Sequence, residues 1–202
     1  MIAIIDYDAG NIRSVEKALQ YLGATVCISR DPDVIGAADK VILPGVGAFG
    51  SAMEHIRGYG LEKVIYSAID HGTPFLGICL GLQVLFEDSE ESPDVPGLAL
   101  LRGHIRKFKP EAGIKIPHMG WNSLKLQNNG RLFQNIQEDP YVYFVHSYYL
   151  KADDPGIVTA CTQYGSTIAD VSIQYGNLFG CQFHPEKSSR TGLAILENFI
   201  QL

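Results

Sequence analysis

The residues best placed to do chemistry are Gly77-Ile78-Cys79-Leu80-Gly81, set between apolar Pro74-Phe75-Leu76 and the run Leu82-Gln83-Val84-Leu85-Phe86. The pattern reads as strand, sharp turn and helix, with a thiol at the tip of the turn. Such a turn pushes its central side chain out of the sheet, and the flanking glycines let the chain double back. The new helix aims its first N–H groups and its positive dipole end at the sulfur, the setting a thiolate nucleophile requires. Cys79 is the candidate nucleophile.

A thiol needs a base, and the base needs an orienting group. His184 ends the apolar stretch Leu178-Phe179-Gly180-Cys181-Gln182-Phe183 and is followed by Pro185-Glu186. Side chains two apart on extended chain point the same way, so His184 and Glu186 can lie side by side. One imidazole nitrogen then faces the carboxylate and the other is free for Cys79. The alternative, a strand-end histidine with a surface glutamate, is the better reading of either motif alone; the elbow tips the balance to catalysis. Zinc held by Cys79, His184 and Glu186 is disfavoured, because the three lack paired ligand spacing.

Gln83 lies one helical turn beyond Cys79 on the same face. Contact with substrate and a polar end to a buried face remain equally open for it. Pro44-Gly45-Val46-Gly47 follows a strand and places two glycines around one valine. Beside an elbow, such a loop can supply an N–H to an oxyanion, with the N–H of Leu80 as partner donor. Tyr143-Phe144-Val145-His146-Ser147-Tyr148-Tyr149 mixes aromatic and polar groups at a strand end, whereas Pro117-His118-Met119-Gly120-Trp121-Asn122 suits a partner-facing loop.

Around these residues stands an ordinary globular composition. Of 202 residues, 46% are hydrophobic and 19% charged, enough for one well-buried domain over residues 1–202. A net charge of −6 gives no nucleic-acid footprint. No run is long and apolar enough to span a membrane, and the chain opens as a strand without a basic leader, so a cytoplasmic protein is expected. The four cysteines form neither a metal pattern nor a disulfide framework; Cys27, Cys161 and Cys181 read as small core residues. The acidic run 87–94 reads as a solvated loop.

Strands are expected over 1–6, 24–29, 40–43 and 73–78. Between them come a helix capped by Asn11 and ended by Gly23, then helices over 48–57 and 61–70. That alternation predicts an α/β fold with a mostly parallel central sheet and flanking helices. Strands over 102–109, 141–150, 157–162, 167–174 and 177–183 add an antiparallel section, and a final helix starts near 188.

Together these residues resemble the class I (triad) glutamine amidotransferases, whose pattern is a Gly-x-Cys-x-Gly elbow, a glutamine one turn later and a late His-Pro-Glu. The resemblance runs essentially full length, with no departure at a catalytic position, and implies a flavodoxin-like fold. Within the family, Asp6–Asn11, Pro44–Gly47, Pro117–Asn122, Tyr143–Tyr148 and His184–Ser188 are most similar to the branch that serves histidine biosynthesis. That resemblance implies a glutaminase that splits glutamine through a Cys79 thioester, with His184 and Glu186 completing the triad. It implies an oxyanion site at Gly45, Val46, Gly47 and Leu80, and substrate contacts from Gln83, His146, Ser147 and Tyr148. It further implies a (β/α)₈-barrel cyclase partner that uses the ammonia to make imidazole glycerol phosphate and aminoimidazole carboxamide ribotide. Asn11, Met119, Trp121, Tyr143 and Lys187 would lie at that interface, and no cofactor or metal is needed. The rival readings are a glutaminase serving another synthase, a free-standing peptidase or γ-glutamyl hydrolase, and a catalytically silent regulatory subunit.

Overall fold

The computed structural model describes residues 1–137 and 139–202. Its first half runs β1 (Ile2–Ile5), α1 (Ile12–Tyr21), β2 (Val26–Ser29), α2 (Pro32–Gly36), β3 (Lys40–Gly45), α3 (Phe49–Gly58), α4 (Leu61–Asp70), β4 (Phe75–Cys79) and α5 (Leu80–Gln83). The second half runs β5 (Asp88–Ser89), β6 (Gly103–Lys107), β7 (His118–Ser123), β8 (Lys125–Leu126), β9 (Tyr141–His146), β10 (Tyr148–Ala152), β11 (Val158–Tyr164), β12 (Thr167–Tyr175), β13 (Leu178–Cys181) and α6 (Ser189–Gln201).

The main sheet follows the order β2-β1-β3-β4-β13-β12-β10-β6-β5, with β11 and β8 branching from β12. Its first five strands are parallel, and the order reverses sense at the antiparallel β13–β12 pair. Strands covered on both faces need apolar side chains in both directions. In β1, Ala3 and Ile5 enter the core beneath α3 and α4, while Ile2 and Ile4 enter the core beneath α1 and α6. The mostly parallel α/β fold expected from the sequence is therefore the one observed, with an antiparallel far half.

Three local differences matter for the site. Asn11 does precede α1, but in the left-handed conformation (φ 74°), not the extended one a capping residue adopts, and without a side-chain cap. The elbow helix stops after a single turn instead of continuing through Phe86. The carbonyls of Val84, Leu85 and Glu87 accept instead from the returning N–H groups of Leu98, Leu100 and Gly97. The single strand expected over 141–150 breaks at Ser147: β9 leaves the main sheet and pairs with β7 as a separate ribbon. Residues 117–122, read as a loop, thus contain a strand.

The acidic run is also more than a solvated loop. Asp88–Ser89 pairs with β6, Glu90 accepts from Arg106 and from the Lys107 N–H, and Glu91 accepts from the Phe49 N–H at 2.8 Å. Glu91 thereby satisfies one of the donors left free at the start of α3.

Candidate active site

Cys79 ends β4, in register with Gly45 at the end of β3. Its backbone has φ 56° and ψ −110°. A non-glycine residue here is strained, a cost that persists only where the surroundings enforce it. Enforcement comes from close packing of the flanking glycines. A Cβ on Gly81 would lie 1.8 Å from the Leu43 carbonyl oxygen, and one on Gly77 would lie 2.5 Å from the Gly81 carbonyl oxygen.

β13 runs beside β4 and delivers His184 to the same end of the sheet. His184 Nδ1 lies 2.9 Å from Glu186 Oε1, with both side chains essentially buried. The carboxylate holds the proton on Nδ1 and leaves Nε2 for Cys79, to which the imidazole is also hydrogen-bonded. Burial pushes the imidazole down, but the hydrogen bonds to Cys79 and Glu186 and their negative charge outweigh it and raise it to about 9. At neutral pH the imidazole is thus held ready as an acid. Asn11 Nδ2 donates to Glu186 Oε1 at 2.6 Å. The sequence reading gave Asn11 a cap and an interface, and missed this contact with the triad. The backbone of His184 is fixed too: its N–H donates to the Tyr143 carbonyl at 3.0 Å, and its carbonyl accepts from the Ser188 hydroxyl at 2.6 Å.

Cys79 and His184 open into a cavity of about 310 Å³ whose walls include Val46, Gly47 and Leu80 on one side and His146, Ser147 and Tyr148 on another. The second wall is the point where β9 leaves the ribbon and β10 joins the sheet. Gln83, Glu91 and Lys187 also line it. The structure adds to two assignments from the sequence. Gly45 belongs to β3, packs against the Tyr7 hydroxyl and the Leu80 side chain, and is not among the cavity's walls. Lys187, expected at an interface, also lines the cavity. Glu91 escaped the sequence reading because nothing in an acidic run marks which carboxylate folds inward. Met119 and Trp121 are exposed on β7, and Trp121 pairs with Tyr143 across the ribbon at a ring separation of 6.1 Å.

Behind the cavity, His118 and His146 face each other across the ribbon. His146 Nδ1 lies 2.8 Å from the Tyr148 carbonyl, so it carries the proton; His118 Nδ1 then donates to His146 Nε2 at 3.0 Å. Burial pushes His118 down to about 4 and His146 down to about 3. Both groups are neutral in the fold yet bind protons once unfolded, so stability falls as pH drops from about 6.5 toward 4, at up to about 1.4 kcal/mol per pH unit for each. His184 has the opposite sign: its raised value gives stability that is complete below about pH 6.5 and is lost as pH rises through about 9. Denaturant unfolding should therefore show maximal stability near neutral pH. His118→Phe should give a shallower loss on the acid side; an unchanged slope would show that the histidine pair is not its source.

The fold at this end of the sheet is shared with solved structures of low sequence identity. One glutamine amidotransferase of known crystal structure superposes with a TM-score of 0.76 at 19% identity, over 100% of this chain and 98% of its own. The glutamine amidotransferase class-I family model matches residues 3–202. The chain is a class-I glutamine amidotransferase. Relatives of this amidotransferase include the imidazole glycerol phosphate synthase subunit HisH of Thermosynechococcus vestitus, 52% identical over 100% of this chain and 96% of that protein. The protein of the same name from Moorella thermoacetica is 53% identical over 100% of this chain and 94% of its own length. Among the described residues of this amidotransferase, no helix is long and apolar enough to cross a membrane.

Proposed function

We propose that this amidotransferase is the glutaminase subunit of an imidazole glycerol phosphate synthase, acting as one domain in the cytoplasm and supplying ammonia for histidine biosynthesis. The observation that carries the chemistry is that Cys79 and His184 line one cavity, with Glu186 hydrogen-bonded to the imidazole. Cys79 sulfur adds to the side-chain amide carbon of glutamine, and the resulting oxyanion is held by N–H groups of Leu80 and of the Val46-Gly47 segment. His184 gives its proton to the departing nitrogen; the C–N bond breaks, leaving ammonia and a γ-glutamyl thioester. His184 then takes a proton from water, the hydroxide adds to the thioester, and glutamate leaves as the sulfur regains its charge. Glu186 keeps the imidazole aligned through both steps. Elsewhere in the cavity, Glu91 and the side-chain oxygen of Gln83 suit the α-ammonium of glutamine, while the Ser147-Tyr148 segment suits its α-carboxylate.

The partner is a (β/α)₈-barrel cyclase subunit docked on the exposed Met119 and Trp121, with Tyr143, Asn11 and Lys187 adjoining. Tyr143 and Asn11 are one hydrogen bond from His184 and Glu186 respectively, so a contact there reaches the site directly. The Val46 peptide is the other route: its side chain rests on Gly10, where a Cβ would lie 2.8 Å from Val46 Cγ2. Partner binding gates activity by turning this peptide so that its N–H faces the oxyanion. Glutamate release should rise tenfold or more, on the order of an allosteric coupling free energy, when the cyclase and its ribotide ligand are added. Equal rates with and without the cyclase would assign the glutaminase to a different acceptor.

A further inference from the structure

Gln182 is fully buried, and neither the elbow nor the His-Glu pair accounts for it. It sits just past the end of β13, two residues before His184, and its side chain, like that of His184, reaches Cys79. Gln83 Nε2 lies 3.2 Å from the Tyr148 carbonyl, which only accepts, so that end of Gln83 is its amide nitrogen. The same nitrogen lies 2.8 Å from Gln182, which must therefore present its oxygen there. The Gln182 amide nitrogen is left facing Cys79 Sγ at 3.6 Å. One buried side chain thus has its orientation dictated at one end and the nucleophile as its partner at the other.

We infer that Gln182 is a further catalytic residue of the glutaminase reaction: its amide N–H donates to the Cys79 sulfur and selectively stabilises the thiolate. This rests on the reading of Cys79 as nucleophile. A neutral thiol accepts a hydrogen bond weakly and a thiolate strongly, so a fixed donor favours the charged form. Gln83 acts through Gln182 as a positioning residue, in addition to any contact it makes with glutamine. The other ionisable groups around the sulfur are His184 beyond β13, Cys181 on β13 and Tyr7 beyond β1, with Glu91 and Lys187 at the cavity wall.

The test is the pH dependence of Cys79 alkylation by iodoacetamide in the full chain, followed on the peptide that carries Cys79, with glutamine kinetics in parallel. Gln182→Met, of similar volume and without the donor, should slow alkylation at neutral pH about tenfold, as expected for a hydrogen bond to a charged group. Raising the pH should restore the rate. For glutamine, kcat should fall about tenfold with KM within twofold. Should Gln182→Met fail to fold, Gln83→Met frees the Gln182 amide to turn away and should slow alkylation in the same direction. An alkylation profile identical to that of the unmodified chain in whichever variant folds would overturn the inference. Glutamine turnover surviving in Cys79→Ala would instead overturn the nucleophile reading beneath it.

Discussion

Replacing Cys79 with alanine is expected to abolish glutamate release, with kcat lowered by about four orders of magnitude or more, while the protein stays folded. Loss of a covalent nucleophile removes the entire two-step route, and what remains is binding and the oxyanion donors. The structural cost is small. The side chain is only one sulfur larger than alanine, and alanine meets the same left-handed backbone restriction that cysteine already tolerates at φ 56°. His184 and Glu186 keep each other in the variant, since their contact does not pass through the sulfur. Thermal unfolding should therefore shift by no more than a few degrees, so lost activity cannot be ascribed to lost structure. Retention of even a few per cent of the glutaminase rate in a folded Cys79→Ala protein would rule out a thioester route.

The largest effect on folding is expected from a single methyl group at Gly81. The added Cβ would sit 1.8 Å from the Leu43 carbonyl oxygen, a backbone atom of the neighbouring β3. No side-chain rotation relieves that overlap, so β3 and α5 must separate and the elbow must open. The cost should exceed about 4 kcal/mol, enough to remove most of the stability of a typical domain. Gly58→Ala makes the appropriate control: it lies at the end of α3, its new Cβ would meet nothing within 4 Å, and it should stabilise by about 0.5–1 kcal/mol. Soluble yield and unfolding midpoints of the two variants should diverge sharply. A stable, active Gly81→Ala protein would mean that the elbow is far more plastic than its packing indicates.

The contrast between these residues also explains what was legible in the sequence. The elbow could be read because local rules write it: an apolar strand, two glycines around a cysteine, and a new apolar run. His184 and Glu186 were legible as a pair from their closeness in sequence, but not for the geometric reason expected: the chain is not extended there, and Pro185–Lys187 form a single 3-10 turn that brings the carboxylate back to the imidazole. Gln83 was half legible, since helical spacing put it on the right face but not against Gln182, 99 positions away. Asn11 was misread for a physical reason. An asparagine before an amphipathic run suits a helix cap, yet its left-handed backbone is not the extended geometry in which a side-chain oxygen reaches the first N–H groups, and its amide nitrogen instead donates to Glu186. The inward turn of Glu91, the break at Ser147 and the pairing of His118 with His146 depend on long-range strand pairing that local patterning does not encode.

The most direct test of the account is to quench the chain in acid during glutamine turnover, in the presence of the cyclase and its ribotide ligand, and weigh its peptides by mass spectrometry. A γ-glutamyl adduct confined to the peptide that carries Cys79, present only while glutamine is being turned over and absent in Cys79→Ala, is the predicted result. Sustained glutamate release with no acyl group on Cys79 under any quench condition would contradict the assignment of Cys79 as nucleophile, and with it the mechanism built upon the elbow.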